Sequence, residues 1–295
     1  MLTPFSIVLV LSAAFLHASW NALLRGGADR TQSMLIMSIA VGIAGLAMIA
    51  VTGLPSAMGY VIASGLIHLC YNGLLVRMYR SGDLGETYPV ARGSSPALIA
   101  LGGSLFAGEW MGPLGMLGIG LVCFGIFMLA AVRAPFVTSE AGPASDCVPK
   151  KESRLHGMNL PYALATGVSI AAYSVIDGLG ARASGNWVAY TGCIFAVFLA
   201  MPLWYLARRG RSAFVMPLPE VAKAVCGGLI SLAAYGVIIW AMRDSAMGAV
   251  SALRETSVVF AALLGAVFLN ERLTALRLLA CCIIAVGAAC IGWRF

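Results

Sequence analysis

Residues 88–109 read YPVARGSSPALIALGGSLFAGE, and residues 250–271 read VSALRETSVVFAALLGAVFLNE. Shifted by 162 positions, the chain from Arg92 to Gly125 overlays its own later part with ten identities in thirty-four positions. Arg92 falls on Arg254, Ser95 on Ser257, Gly103 on Gly265, Glu109 on Glu271 and Gly125 on Gly287. Two segments rich in Leu, Ala and Gly match by chance at apolar positions, but not at an Arg and a Glu as well. The chain therefore contains an internal duplication.

The rest of the sequence fits the same plan. Of its 295 residues, 60% are hydrophobic and 11% charged, where soluble domains carry roughly 25% charged residues. A water-facing surface cannot be built from that composition. Charges instead bracket apolar runs of the length a spanning helix needs, about 20 residues. Such runs lie at 4–24, 33–52, 57–79, 86–107 and 112–132, and again at 160–181, 187–207, 221–242, 246–269 and 275–293. Between the two sets lies a polar stretch rich in Pro, Ser and charge. The expected fold is an all-α integral membrane protein with ten transmembrane helices in two inverted five-helix repeats. Its predicted parts are a first repeat at 1–132, a linker at 133–157 and a second repeat at 158–295. An odd number of spans makes the second copy enter from the opposite side, and inverted copies with a site at their interface are the architecture of secondary transporters.

Other classes fit poorly. The net charge of +7 is not arranged as a basic stripe with interleaved aromatics, so no nucleic-acid partner is expected. Seven of the eight cysteines lie within apolar runs, where they read as packing residues. No metal spacing, Gly-rich phosphate loop or nucleophile–base pairing appears, so no cofactor, enzyme activity or ATP-binding subunit is expected. The first run lacks a basic leader and is read as a span rather than a signal peptide. Remaining partners are membrane lipid and a small-molecule substrate, with the protein acting as a monomer or homodimer.

The polar residues inside the spans are the candidates for chemistry. Arg92 and Arg254 lie at mid-depth, where a guanidinium costs at least about 2.5–3.5 kcal/mol unless it faces water or a partner. Two readings stand: a structural tether, or planar donors for a carboxylate or phosphonate of the substrate. Glu255 need not neutralise its neighbour Arg254, and is a candidate proton site or amine ligand. Pro89 and Pro96 are expected to break the fourth helix, with Tyr88 and Ser95 beside them. His17 and Asn21 are spaced i, i+4, as are Tyr173 and Asp177, and a shift of 156 superposes the pairs. These stripes are either polar glue between helices or cavity lining, with Asp177 as a coupling carboxylate or as a partner of Arg182. His68 and Asn72 form a weaker stripe. Glu109 and Glu271 read as structural.

The stretch from Tyr88 to Glu109, with Leu253-Arg254-Glu255 through Asn270-Glu271-Arg272, resembles the EamA family of the drug/metabolite transporter superfamily. That resemblance implies a five-plus-five bundle that exports or exchanges metabolites such as amino acids, in a bacterial inner membrane. Residues 17–23 also resemble a bacterial subgroup associated with phosphonate-utilisation genes. The substrate is expected to be a small anionic or zwitterionic metabolite; the alternative is a multidrug or cation exporter. Fourteen of the nineteen Lys and Arg fall on one side, which the charge rule makes cytoplasmic, with both termini outside; the family resemblance implies both termini inside.

Overall fold

The computed structural model describes residues 2–25, 30–81, 84–131, 156–210, 216–268 and 274–293, and among them there is no strand. Most of the segment read as a linker, and Glu271, lie outside the described residues. The first five helices are α1 (Pro4–Arg25), α2 (Arg30–Thr52), α3 (Met58–Ser81), α4 (Leu84–Ala107) and α5 (Pro113–Ala131). After them come α6 (His156–Ala183), α7 (Trp187–Val197), α8 (Ala200–Arg209), α9 (Leu218–Asp244), α10 (Met247–Glu255), α11 (Ser257–Phe268) and α12 (Ala275–Gly292). Seven segments among the described residues are long and apolar enough to cross a membrane, and two of these, Trp187–Arg208 and Met247–Val267, each join two helices into one span.

Lipid as solvent explains which side chains face outward. Val51, Leu105, Phe106 and Val267 are 70% or more exposed, whereas Ser64, Ser95, Asp177, Thr191, Ser251 and Glu255 are fully buried. In water that distribution would be ruinous. In hydrocarbon, apolar side chains gain nothing by hiding, and polar groups must find partners inside the bundle.

Helices of the two halves interleave. α5 packs on α12, α1 on α9, α3 on α6 and α2 on α7, while α4 lies against α6 and α1 against α10 and α11. At the α5–α12 contact the backbones touch through glycine. A Cβ added to Gly118 would lie 2.6 Å from the Gly287 carbonyl oxygen, and one added to Gly287 would lie 2.7 Å from the Gly118 oxygen. Gly125 makes the neighbouring approach, to Ile284 at 2.5 Å and the Ala280 carbonyl at 3.1 Å.

The expected break in the fourth span is absent: α4 runs unbroken through Pro89 and Pro96. Pro96 has no N–H for the carbonyl of Arg92, four residues back. The hydroxyl of Ser95 donates to that carbonyl at 3.0 Å, so the gap is filled within the helix. The interruption falls in the other copy. There α10 ends at Glu255 and α11 starts at Ser257, with Thr256 closing a tight turn through its N–H to Leu253 O at 3.1 Å and its hydroxyl to the same oxygen at 2.7 Å. The seventh run also divides, at Phe198 and Leu199.

Replacing Gly287 by Val should lower unfolding free energy by about 1–3 kcal/mol, the usual cost of overpacking. Thermal unfolding in detergent reads this out, with Gly59→Ala as the control, since a Cβ at Gly59 meets nothing within 4 Å.

Candidate functional site

Glu255, the last residue of α10, is fully buried between two cations. Arg92 on α4 donates from Nε to Glu255 Oε2 at 2.8 Å, and its Nη2 lies 2.8 Å from the same oxygen. Arg254 donates from Nη2 to Oε1 at 3.2 Å. Only 9% of Arg92 and 5% of Arg254 is exposed. At such depth each charge needs a partner, since uncompensated ions in low dielectric are costly. Two guanidiniums here share the Glu255 carboxylate. Arg254 keeps its Nε buried without a hydrogen-bond partner among the described residues.

His17 of α1 completes this side of the site. Its Nε2 lies 3.4 Å from Arg92 Nη1, while Trp20 donates its indole N–H to Nδ1 at 3.3 Å. Both ring nitrogens thus face donors, and a neutral imidazole can accept at only one of them. Asn21 turns back to its own helix, donating to the His17 carbonyl at 2.7 Å. Ser95, as described, is likewise engaged with its own helix. The side chain of Tyr88 lies outside the described residues.

Asp177 of α6 forms a second polar centre. Its Oδ1 accepts from Ser64 Oγ of α3 at 2.5 Å and from Tyr190 OH of α7 at 3.0 Å, and its Oδ2 accepts from Tyr235 OH of α9 at 2.6 Å. Three neutral hydroxyls from three helices serve this carboxylate, which is 0% exposed. Tyr173 stands between the two centres. Its ring stacks on His68 at 4.1 Å, and it lies within electrostatic reach of Arg254, Arg92 and Asp177. Tyr190 and Ser64 were not singled out in the sequence. Ser64 extends the His68 and Asn72 stripe to i, i+4, i+8, a pattern that was there to be read; Tyr190 had no such signal.

The second half of the chain carries the decisive likeness, since residues 158–293 match the sequence profile of the EamA-like transporter family. That family belongs to the drug/metabolite transporter superfamily, and the match together with the apolar helices supports a multi-pass membrane protein. A solved crystal structure shares the fold with a TM-score of 0.74 and 22% identity, covering 98% of this chain and 96% of the other. No curated protein sequence matches it.

Arg182 does not pair with Asp177. It is bonded to Glu109 and donates from Nη2 to the carbonyls of Met242 and Ser245, each at 2.9 Å. Glu109 also accepts from the Met247 N–H at 2.8 Å, which satisfies a donor at the start of α10. The pair thereby pins the helix that carries Arg254 and Glu255. A separate groove of about 440 Å³ between α2, α3 and α7 is lined by apolar residues such as Ile49, Val61, Leu66 and Val197, and holds none of the charged groups.

Changing Glu255 to Gln removes the carboxylate that both arginines share. The expected loss is about 3–5 kcal/mol, as for other broken buried ion pairs, read as a lower unfolding midpoint in detergent.

Proposed function

We propose that this protein is a transporter of the EamA type with ten spans in two inverted five-span repeats, residues 1–132 and 158–295 joined by a polar linker, in a bacterial inner membrane. It moves a small anionic or zwitterionic metabolite, such as an amino acid or a phosphonate-like compound, by secondary active transport. Three relations support the inverted arrangement. The contact of Gly118 with Gly287 has as its counterpart, under the shift of 162, the contact of Gly125 with Ala280. The packing of α1 on α9 corresponds in the same way to that of α6 on α3. His17 beside Arg92 in one copy corresponds to Tyr173 within electrostatic reach of Arg254 in the other.

The substrate class rests on a single observation: Arg254, buried beside Arg92, has an Nε with no acceptor among the described residues. A carboxylate or phosphonate accepts from the guanidinium's fork. Arg254 is then the primary receptor, Arg92 the more firmly held partner, and Glu255 the internal anion whose hold on the arginines the substrate relaxes. The turn at Thr256, directly after Glu255, allows that exchange to be felt as a change of angle between α10 and α11. Tyr173 and His17 flank the site.

A second reading has its own observation. Asp177 is fully buried and carries no Arg or Lys partner among the described residues, with Tyr173, Tyr190 and Tyr235 around it, which suits an organic cation held by charge and aromatic faces.

The two readings separate in a thermal-shift screen of purified protein against amino acids, phosphonates, organic acids and cationic dyes. An anionic ligand at a hundred times its dissociation constant should stabilise the wild type by about 2.7 kcal/mol. Arg254→Lys keeps the charge but loses the fork, and should weaken that ligand about tenfold, or 1.4 kcal/mol. Stabilisation by cations alone, abolished in Asp177→Asn, would replace the anion reading with the second one.

A further inference from the structure

Ser64, His68 and Asn72 occupy one face of α3, and this line begins at Asp177. Ser64 Oγ donates to Asp177 Oδ1 at 2.5 Å. His68 Nδ1 lies 3.0 Å from the Ser64 carbonyl and 3.2 Å from Ser64 Oγ. A carbonyl only accepts, so Nδ1 carries the hydrogen and Nε2 is the ring's basic nitrogen. The ring is fixed in place by the stacked Tyr173 and by the edges of Phe198 at 5.7 Å and Tyr235 at 6.4 Å. On its far side His68 lines, with Asn72, Val197, Phe198 and Met201, a cavity of about 10 Å³ at the division between α7 and α8. That volume is near the minimum for one water.

We propose that His68, Ser64 and Asp177 form a proton relay that loads and unloads the buried carboxylate from the cavity beside α3; the proposal rests on the reading of Asp177 as the coupling group. A proton from water joins His68 Nε2. The Nδ1 proton passes to Ser64 Oγ as the Ser64 hydroxyl proton passes to Asp177 Oδ1. One proton has entered, the carboxylate has become a neutral acid, and the imidazole is again neutral, with its hydrogen on Nε2 and its Nδ1 accepting from Ser64.

The surroundings suit both charge states. As an anion Asp177 accepts three hydroxyl hydrogen bonds; as an acid it donates from Oδ1 to Ser64 Oγ and still accepts from Tyr190 and Tyr235. No group is stranded by the change. The groups that face Asp177 are Ser64 and His68 from α3, Tyr190 from α7 and Tyr235 from α9, with Cys193 near Tyr190. Arg254, Arg92 and Glu255, on α10 and α4, act from further off on its helix neighbour Tyr173. The relayed state gives up the bond from Nδ1 to the Ser64 carbonyl, which biases the ring to reset.

Infrared difference spectroscopy of the full-length protein in liposomes tests the relay without a substrate. Acidification should produce a carboxylic-acid carbonyl band that is missing in Asp177→Asn. In Ser64→Ala the same band should appear on the order of a hundredfold more slowly after a pH jump, the loss expected when a positioned proton carrier is removed, and Ser64→Thr should restore the rate. A band that persists in Asp177→Asn, or Ser64→Ala at the wild-type rate, overturns the proposal. If Asp177→Asn does not fold, the Ser64 pair decides alone. Anion binding at Arg254 is read separately by thermal shift, so failure of one does not imitate failure of the other.

Discussion

A carboxylate shared between two buried arginines is the constraint on which this structure turns. Glu255 accepts from Arg92 and Arg254, which align when the sequence is shifted by 162 positions. In water such a trio would contribute little, because screening and hydration compete with every contact. Inside the bundle, hydration is lost, and the three groups must answer one another. One donor among them, Arg254 Nε, finds no acceptor among the described residues, and it is there that an anion is proposed to bind.

The scaffold around the trio holds charge at depth. Close glycine contacts between α5 and α12 join the halves at one edge of the bundle. Glu109 and Arg182 anchor the start of α10, and the tight turn at Thr256 ends it. Between those two points lie only nine residues, and the last two are Arg254 and Glu255. All nine are buried against the neighbouring helices, so the position of that turn sets where the two side chains lie.

Much of this was legible in the sequence because lipid imposes simple rules. Apolar runs marked the helices to within a few residues, and the aligned Arg92 and Arg254 pointed to the polar interior. What escaped were pairings between distant residues. Adjacent helical positions diverge by roughly 100°, so Glu255 need not neutralise Arg254; at the end of α10 its long side chain meets both arginines, one of them 163 residues away. Pro96 was expected to break its helix, and Ser95 prevents it by occupying the orphan carbonyl of Arg92. The break came at Thr256, where neither Gly nor Pro announces it. Asp177 was visible as a buried acid, but its partners Ser64, Tyr190 and Tyr235 come from three other helices, and nothing local in the chain brings them together.

The central claim, that the buried Arg254 guanidinium receives an anion, is most directly tested by solving the structure of the protein with 2-bromobenzoate bound and locating bromine by its anomalous scattering. The account predicts the carboxylate in hydrogen-bond contact with the Arg254 guanidinium, with the bromine beside it and Glu255 drawn off at least one of its arginines. Bromine found only elsewhere, with the Arg92, Glu255 and Arg254 contacts unchanged, would contradict it.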